Sequence, residues 1–297
     1  MNYVAPSKAE LSALSRLFSS SVFREMAKEG RSRLFARLFS ESGLVPTDPD
    51  QSVAEGFDAA FGRLRRAGLR NEYIYRSALT HNVLLGSHSL ATASMLTEFR
   101  TGACKADLVI LNGTATVYEI KSERDSLSRL KRQLDHYQRV FAKIYVIAGE
   151  AHVSEVLDAA TPHVGVMRLS RWDRITTIRE ATDRSSYVCP RAIFQSLRLS
   201  EAQSVLRDLD VPVPGAPNTR LHAAVGACFE SLEPDDVHRS MVKTLKRTRG
   251  LTSLRELVHR LPVSLQPAAL SVKIRRKDHD RLIQAIETRL HDALTWT

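Results

Sequence analysis

Two short segments of the sequence carry charged side chains at spacings that could support chemistry. Asp107 lies within an apolar run, and a second apolar run contains Glu119 and Lys121, separated by Ile120. Both runs predict β-strands, and side chains two positions apart on a strand share a face, so Glu119 and Lys121 emerge together. A carboxylate beside an ammonium on an apolar strand is costly unless something uses both groups. A divalent metal ion and a water molecule would do so.

The dipeptide Asn112-Gly113 joins the two runs and indicates a β-hairpin. A two-residue loop would place Asp107 opposite Tyr118, so that the carboxylates of Asp107 and Glu119 would point to opposite faces. A three-residue loop, or a bulge near Asp107, would place Asp107 opposite Glu119 instead. A shared site therefore predicts one of these two arrangements, and strict two-residue pairing would contradict it.

A helical pattern follows the second strand. It runs from Ser126 to Phe141, with Asp125 as the predicted N-cap. Its apolar face includes Tyr137, and Gln133 lies on that face or beside it. Further buried strands are predicted over 143–149 and 164–169, with a short helix between them.

These residues, in this order, resemble the PD-(D/E)xK nuclease superfamily, in its RecB-like branch. The resemblance covers about residues 70 to 170 and uses Asp107, the tripeptide 119–121 and the Gln-x-x-x-Tyr motif formed by Gln133 and Tyr137. Ala106 replaces the Pro of the superfamily's name. The resemblance implies an α/β fold with a restriction-endonuclease-like mixed sheet core flanked by helices. The helical pattern outside the resemblance predicts N-terminal and C-terminal helical extensions.

The resemblance also implies a metal site and a reaction. Asp107, Glu119 and the backbone carbonyl of Ile120 would bind Mg²⁺ or Mn²⁺, whose preferred ligands are oxygens. Lys121 would orient or deprotonate the attacking water and offset the charge that develops at phosphorus. The alternative is that Glu119 and Lys121 form a solvated pair on an edge strand.

Residues of the following helix have implied roles too. Gln133 and Tyr137 would orient the nucleophile or contact the substrate backbone. Nearby basic residues could hold phosphates: Arg124, Arg129, Lys131 and Arg132. The alternatives are that Gln133 only flanks the apolar stripe, that Tyr137 belongs to the core, and that the basic residues form a solvated helix face.

The superfamily usually has one more acidic residue upstream, and two residues are candidates. Glu98 lies in a predicted strand with apolar flanks, so we expect its side chain to point into the protein. Glu72 opens a helical segment predicted from Asn71 to Leu85 and followed by Gly86, where it could simply favour the helix dipole. Glu98 is taken into the predicted catalytic and metal-binding set, with Glu72 as the alternative.

Composition limits the class of protein. The 297 residues are 43% hydrophobic, which supports a packed core, but contain no uninterrupted apolar stretch of membrane-spanning length. No signal peptide is recognised. Three widely spaced cysteines argue against a disulfide scaffold or zinc site, so we expect a cytoplasmic, reduced protein.

A net charge of +10 favours a polyanionic partner, and the basic clusters 63–70, 243–249 and 273–277 suggest auxiliary phosphate-contacting surfaces.

The pattern divides the chain into four consecutive segments. These are an N-terminal helical region, 1–69, the nuclease-like core, 70–182, a connector with a helix, 183–217, and a C-terminal helical region, 218–297. Residues 10–42 predict two helices separated by Gly30, and Ser52 with Glu55 forms a predicted capping box. The C-terminal region predicts helices near 221–232, 235–246, 253–260 and 278–295, and is read as a structural lid rather than a DNA-binding unit.

The predicted function is therefore metal-dependent hydrolysis of phosphodiester bonds in double- or single-stranded DNA, in defence, repair or mobile-element biology. The Gln-x-x-x-Tyr motif favours end-directed processing by analogy. One alternative is a catalytically silent module that binds nucleic acid or a protein partner. Another is a helical scaffold in which the module is vestigial.

Overall fold

The apolar runs around Asp107 and Glu119 form the centre of a mixed β-sheet in a computed structural model of the chain, which describes residues 5–66, 68–86, 88–170 and 173–297. The sheet has six strands within these ranges, paired in chain order: β1 Ser94–Thr101, β2 Cys104–Leu111, β3 Ala115–Lys121, β4 Lys143–Ala148, β5 Gly165–Leu169 and β6 Ile175–Arg179. Strands β1 to β3 are antiparallel, β3 to β5 are parallel, and β6 is antiparallel to β5. The predicted α/β class with a mixed sheet is confirmed.

The hairpin between β2 and β3 has a three-residue loop, one of the two arrangements that a shared site predicts. Leu111 pairs with Ala115 and Leu108 pairs with Tyr118, so residues 112–114 form the loop. Gly113 has a φ of +101°, a region that residues with a Cβ rarely adopt. The prediction of a three-residue loop is confirmed.

Substituting Gly113 should test this loop. Gly113→Ala is expected to lower the free energy of unfolding by about 1–2 kcal/mol, because an L-residue is strained at positive φ. Gly62 is a matched control within a helix, and an added Cβ would meet no heavy atom within 4 Å at either glycine. Gly62→Ala should instead raise the stability by about 0.5–1 kcal/mol. Urea unfolding followed by circular dichroism measures both, and equal effects would contradict the loop assignment.

The described residues also form fifteen α-helices. They are α1 Lys8–Leu17, α2 Ser20–Glu29, α3 Arg33–Glu41, α4 Val53–Leu64, α5 Glu72–Leu79, α6 Leu130–Tyr137, α7 Val153–Ala159, α8 Pro190–Ser196, α9 Leu199–Asp208, α10 Asn218–Phe229, α11 Pro234–Thr248, α12 Arg255–Arg260, α13 Gln266–Ser271, α14 His279–Glu287 and α15 Leu290–Ala293. A π-helical turn, Thr80–Leu85, continues α5. The predicted helix over 71–85 is therefore present, with its second half in π geometry.

Two details of the N-terminal helices are informative. The two helices predicted over residues 10–42 are three, because the Ser19 hydroxyl accepts from the Val22 amide and begins α2. Gly30 ends α2 with a φ of +73°. The predicted capping box is confirmed, since Ser52 and Glu55 accept hydrogen bonds from each other's backbone amides.

Helix α6 is shorter than predicted. It begins at Leu130 rather than near Ser126, and the prediction of Asp125 as its N-cap is wrong. The Asp125 carboxylate instead accepts from the amide and the hydroxyl of Ser122, at 2.8 and 2.7 Å. The predicted apolar face is confirmed, because α6 buries Leu130, Leu134 and Tyr137.

The helices and the sheet are divided between two compact units. The sheet unit contains residues 79–170 and 174–252, and the terminal unit contains described residues of 5–78 and 253–297, with Asp173. This grouping joins the two ends of the chain, which the sequence pattern treats as separate segments. Packed aromatic rings are prominent in the terminal unit: Phe18, Phe35, Phe57, Phe61 and Tyr73. None of the described helices is long and apolar enough to cross a membrane.

Candidate active site

The hairpin register brings Asp107 to Glu119. The last ladder pair before the site is Leu108 with Tyr118, and the next position of the same register sets Asp107 opposite Glu119. At this point the Asp107 side chain bonds directly to β3, since its Oδ2 accepts from the Ile120 amide at 2.8 Å. The pairing therefore fixes the Asp107 carboxylate beside β3.

Glu119 and Lys121 lie on one face of β3, as the two-residue spacing predicts. The Lys121 Nζ donates to Glu119 Oε1 at 2.8 Å and to Gln133 Oε1 at 2.9 Å. The Gln133 amide in turn donates to Glu119 Oε1 at 2.5 Å. Glu119 is 1% exposed and Lys121 is 4% exposed. The alternative of a solvated pair on an edge strand is therefore wrong, since β3 lies between β2 and β4.

Tyr137 completes this network from α6. Its hydroxyl lies 2.7 Å from Glu119 Oε2 and 2.9 Å from the Lys105 carbonyl oxygen, and it donates hydrogen bonds to both oxygens. Burial first, and then the Glu119 carboxylate, raise the pKa of Tyr137 well above its usual range, so the hydroxyl stays protonated and donates. Tyr137 is at once a buried core residue and a partner of Glu119.

Glu98 lies on β1, which pairs with the edge of β2 that faces away from β3. The pairs Thr97 with Leu108 and Phe99 with Ala106 flank it, and it has a φ of +54°. A backbone of this kind is strained in a residue with a Cβ.

The Glu98 side chain is 55% exposed and forms an ion pair with Lys105 at 3.1 Å, so the expectation that it points into the protein is wrong. It nevertheless offers a carboxylate oxygen within 4.8 Å of one of Asp107. The alternative residue, Glu72, begins α5 in the terminal unit and pairs with Arg76.

A cavity of about 470 Å³ opens at this part of the sheet unit. Its lining residues are Arg100, Gly102, Ala103, Cys104, Lys105, Asp107, Arg129, Arg132 and Gln133. Two of the four predicted phosphate-binding residues, Arg129 and Arg132, are among them, and Arg124 and Lys131 are not. Arg100 was missed because it lies on β1, where only strand alternation could have signalled its direction. Among the described residues, Glu119 and Lys121 do not line the cavity.

The oxygen donors around Asp107 fit a hard divalent cation. Carboxylates of Glu98 and Asp107 lie close together, and the Ile120 backbone and Glu119 lie on the adjoining strand. Such donors are those that Mg²⁺ and Mn²⁺ prefer. Both oxygens of Glu119 already accept hydrogen bonds, from Lys121 and Gln133 on one side and from Tyr137 on the other.

Comparison with known proteins places this site within a family. The family model for bacteriophage P4 protein cII matches residues 65–271, which is more than half of the chain. The chain belongs to the bacteriophage P4 protein cII family. Every predicted site residue lies within the region that matches this family.

Two similar proteins show how far the likeness extends. Protein cII of Enterobacteria phage P4 is 25% identical over 183 residues, which are 59% of this chain and 67% of that protein. Among solved structures, a protein of unknown function from Silicibacter pomeroyi, SPO1766, matches 59% of this chain and 99% of its own, with 16% identity and a TM-score of 0.29.

Proposed function

We propose that this member of the protein cII family is a metal-dependent nuclease that hydrolyses phosphodiester bonds in DNA, with a PD-(D/E)xK core of the RecB-like branch. One observation carries the proposal. The three-residue hairpin loop sets Asp107 opposite Glu119, and a hydrogen-bond network joins Glu119 to Lys121, Gln133 and Tyr137. These are the five residues that the sequence motifs select.

The energetics of burial support a functional reason for this network. Removing both charges of an ion pair from water costs several kcal/mol per ion, and well-packed apolar residues often replace such a pair without loss of stability. Glu119 and Lys121 are nevertheless almost fully buried among apolar residues of β3 and β4. A fold that needed only stability would gain little from them.

Different residues of the network would have different roles in the reaction. Asp107, Glu119, the Ile120 carbonyl and Glu98 would hold Mg²⁺ or Mn²⁺. When bound, the ion would stabilise charge at phosphorus and lower the pKa of a water molecule. Lys121 has three N–H donors, of which two contact Glu119 and Gln133, so the third can orient a water or a phosphate oxygen. Tyr137 and Gln133 keep the Glu119 carboxylate fixed in orientation.

The cavity indicates the substrate class. Three guanidinium groups line it, from Arg100, Arg129 and Arg132, together with the ammonium of Lys105. Arginine binds phosphate through two parallel hydrogen bonds, so these residues suit the backbone of a nucleic acid. The relation to a phage protein supports mobile-element biology among the options, and the widely spaced free cysteines suit a reducing cytoplasm.

Binding without cleavage is the second candidate function, and one observation favours it. Asp107 and Gln133 line the cavity, whereas Glu119 and Lys121 do not line it in the part of the chain that the structure describes. A nucleic acid or a protein partner could occupy the cationic cavity without reaching the buried pair. Cleavage would require the bound nucleic-acid backbone to reach the network through Asp107, which lines the cavity.

A cleavage assay separates the two functions. Purified protein is mixed with linear, nicked, circular and single-stranded DNA in Mg²⁺ or Mn²⁺, and products are followed by gel electrophoresis. We expect degradation of at least one substrate, abolished by EDTA and restored by added metal. An Asp107→Asn preparation made in the same way controls for contaminating nucleases. Binding without degradation of any substrate would establish the second candidate and contradict the first.

A further inference from the structure

The basic clusters at 243–249 and 273–277 differ in how their charges are used. In the first cluster, Lys243 pairs with Asp208, Arg249 forms a two-pronged contact with Glu201, and Lys246 donates to a backbone carbonyl. Glu201 is 2% exposed, so its pair with Arg249 is structural. Most of this cluster's charge is therefore used within the sheet unit.

The second cluster lines a cavity in the terminal unit. This cavity has a volume of about 260 Å³ and lies between α2 and the segment that precedes α14. Its walls combine four cationic side chains, one carboxylate and two apolar side chains: Arg24, Lys28, Lys273, Arg275, Asp278, Ala27 and Ile274. Residues distant in sequence thus bring positive charge to one concave surface.

The single carboxylate in the wall is already occupied. Asp278 is 4% exposed and accepts from Arg275 at 2.7 Å and from Arg281 at 3.4 Å. Within the described ranges, no carboxylate lies within ion-pair distance of Arg24 or Lys273. Lys28 is 73% exposed, and its Nζ lies 3.9 Å from the exposed Glu29, a contact of little energetic weight.

We propose that this cavity, which we call the Arg24–Lys273 pocket, binds a phosphate of a DNA backbone. Arginine and lysine side chains supply most phosphate contacts in protein–DNA complexes. A phosphate would neutralise cations that otherwise repel one another, and Ala27 and Ile274 offer an apolar wall to the adjoining sugar. A concave pocket of this size suits a single nucleotide unit better than a flat membrane surface or a peptide helix.

This second contact does not depend on the proposed cleavage. The Arg24–Lys273 pocket and the candidate active site lie in different units, so each can be removed by substitution without touching the other. DNA binding through the pocket is expected whether or not the sheet unit cuts DNA. EDTA prevents cleavage during the binding measurement, and the comparison of pocket variants with matched variants isolates the contribution of the pocket.

The test compares two double variants of the full chain that each remove two positive charges. Arg24→Gln with Lys273→Gln empties the pocket of its unpaired cations. Lys8→Gln with Arg37→Gln removes exposed charges elsewhere in the same unit. Fluorescence anisotropy with a labelled 20-base-pair duplex, in EDTA, gives Kd over a range of NaCl concentrations. Circular dichroism confirms that both variants fold.

We expect the pocket variant to weaken binding about tenfold and to reduce the slope of log K against log salt by about 1, because one phosphate contact contributes about 0.9 to that slope. The matched variant should keep at least half of the wild-type affinity and the same slope. Equal losses in both variants would show an effect of net charge alone and overturn the proposal. Unchanged DNA binding, with loss of binding to phosphatidylserine vesicles or to polyglutamate, would also overturn it.

Discussion

Replacing Lys121 by methionine is expected to lower the free energy of unfolding by about 3–5 kcal/mol, the loss seen when one partner of a buried ion pair is removed. Methionine fills a similar volume but leaves the Glu119 carboxylate, which is 1% exposed, without its cation. Gln133 would also lose its donor. Urea unfolding followed by circular dichroism measures the change.

Two further variants make this expectation specific. Lys105→Met removes a lysine whose ion pair with Glu98 is more than half exposed, and it should change stability by less than about 1 kcal/mol. Adding Glu119→Gln to Lys121→Met removes the orphaned charge and should recover at least half of the loss. A Lys121→Met variant as stable as Lys105→Met would show that the buried pair has no such role.

Asp107→Asn is expected to reduce DNA cleavage at least about 100-fold while leaving stability nearly unchanged. Outer residues of metal sites already cost 10- to 100-fold when removed, so loss of a direct ligand should cost at least the upper value. Stability is retained because the asparagine Oδ1 can still accept from the Ile120 amide, as Asp107 Oδ2 does at 2.8 Å. Initial cleavage rates in Mn²⁺ and thermal unfolding measure the two effects.

Asp125→Asn is the matched control for this second experiment. Asp125 also accepts from a backbone amide, that of Ser122, close to the end of β3. It does not line the cavity in the described part of the chain, so its substitution should leave the cleavage rate within about twofold of the wild type. Equal rates for Asp107→Asn and the wild type would remove Asp107 from the site.

Much of the candidate site could be predicted because a strand alternates with a strict period of two. That period placed Glu119 and Lys121 together, and the requirement that Asp107 share their face left either a three-residue loop or a bulge, of which the structure contains the loop. Helical spacing placed Gln133 on or beside the face that contains Tyr137, and the resemblance to the Gln-x-x-x-Tyr motif implied that both side chains belong to the site, where they contact Lys121 and Glu119. Local periodicity carries this information without any tertiary contact.

The sequence predictions failed where a residue can adopt a second local structure or where the apolar pattern is weak. Asp125 could cap a helix or close a turn, and the nearby amide and hydroxyl of Ser122 decided in favour of the turn. Glu98 has apolar neighbours, but its positive φ breaks the alternation that would otherwise set its direction. Strand β6 was not predicted from the sequence, because it is only half-buried and its apolar pattern is weak. Helix α13 was also not predicted, because it is short and has a proline in its first turn.

The grouping of residues into units follows from contacts that no short-range pattern records. Helix α14 packs against α2 within the terminal unit, although about 250 residues separate them in the chain. During vectorial synthesis at about 5–20 residues per second, α2 would leave the ribosome roughly 10–50 seconds before α14 is made. The sheet unit would be complete before the terminal unit could close. The apolar side of α2, with Phe23 and Met26, would therefore need shelter from aggregation throughout that delay.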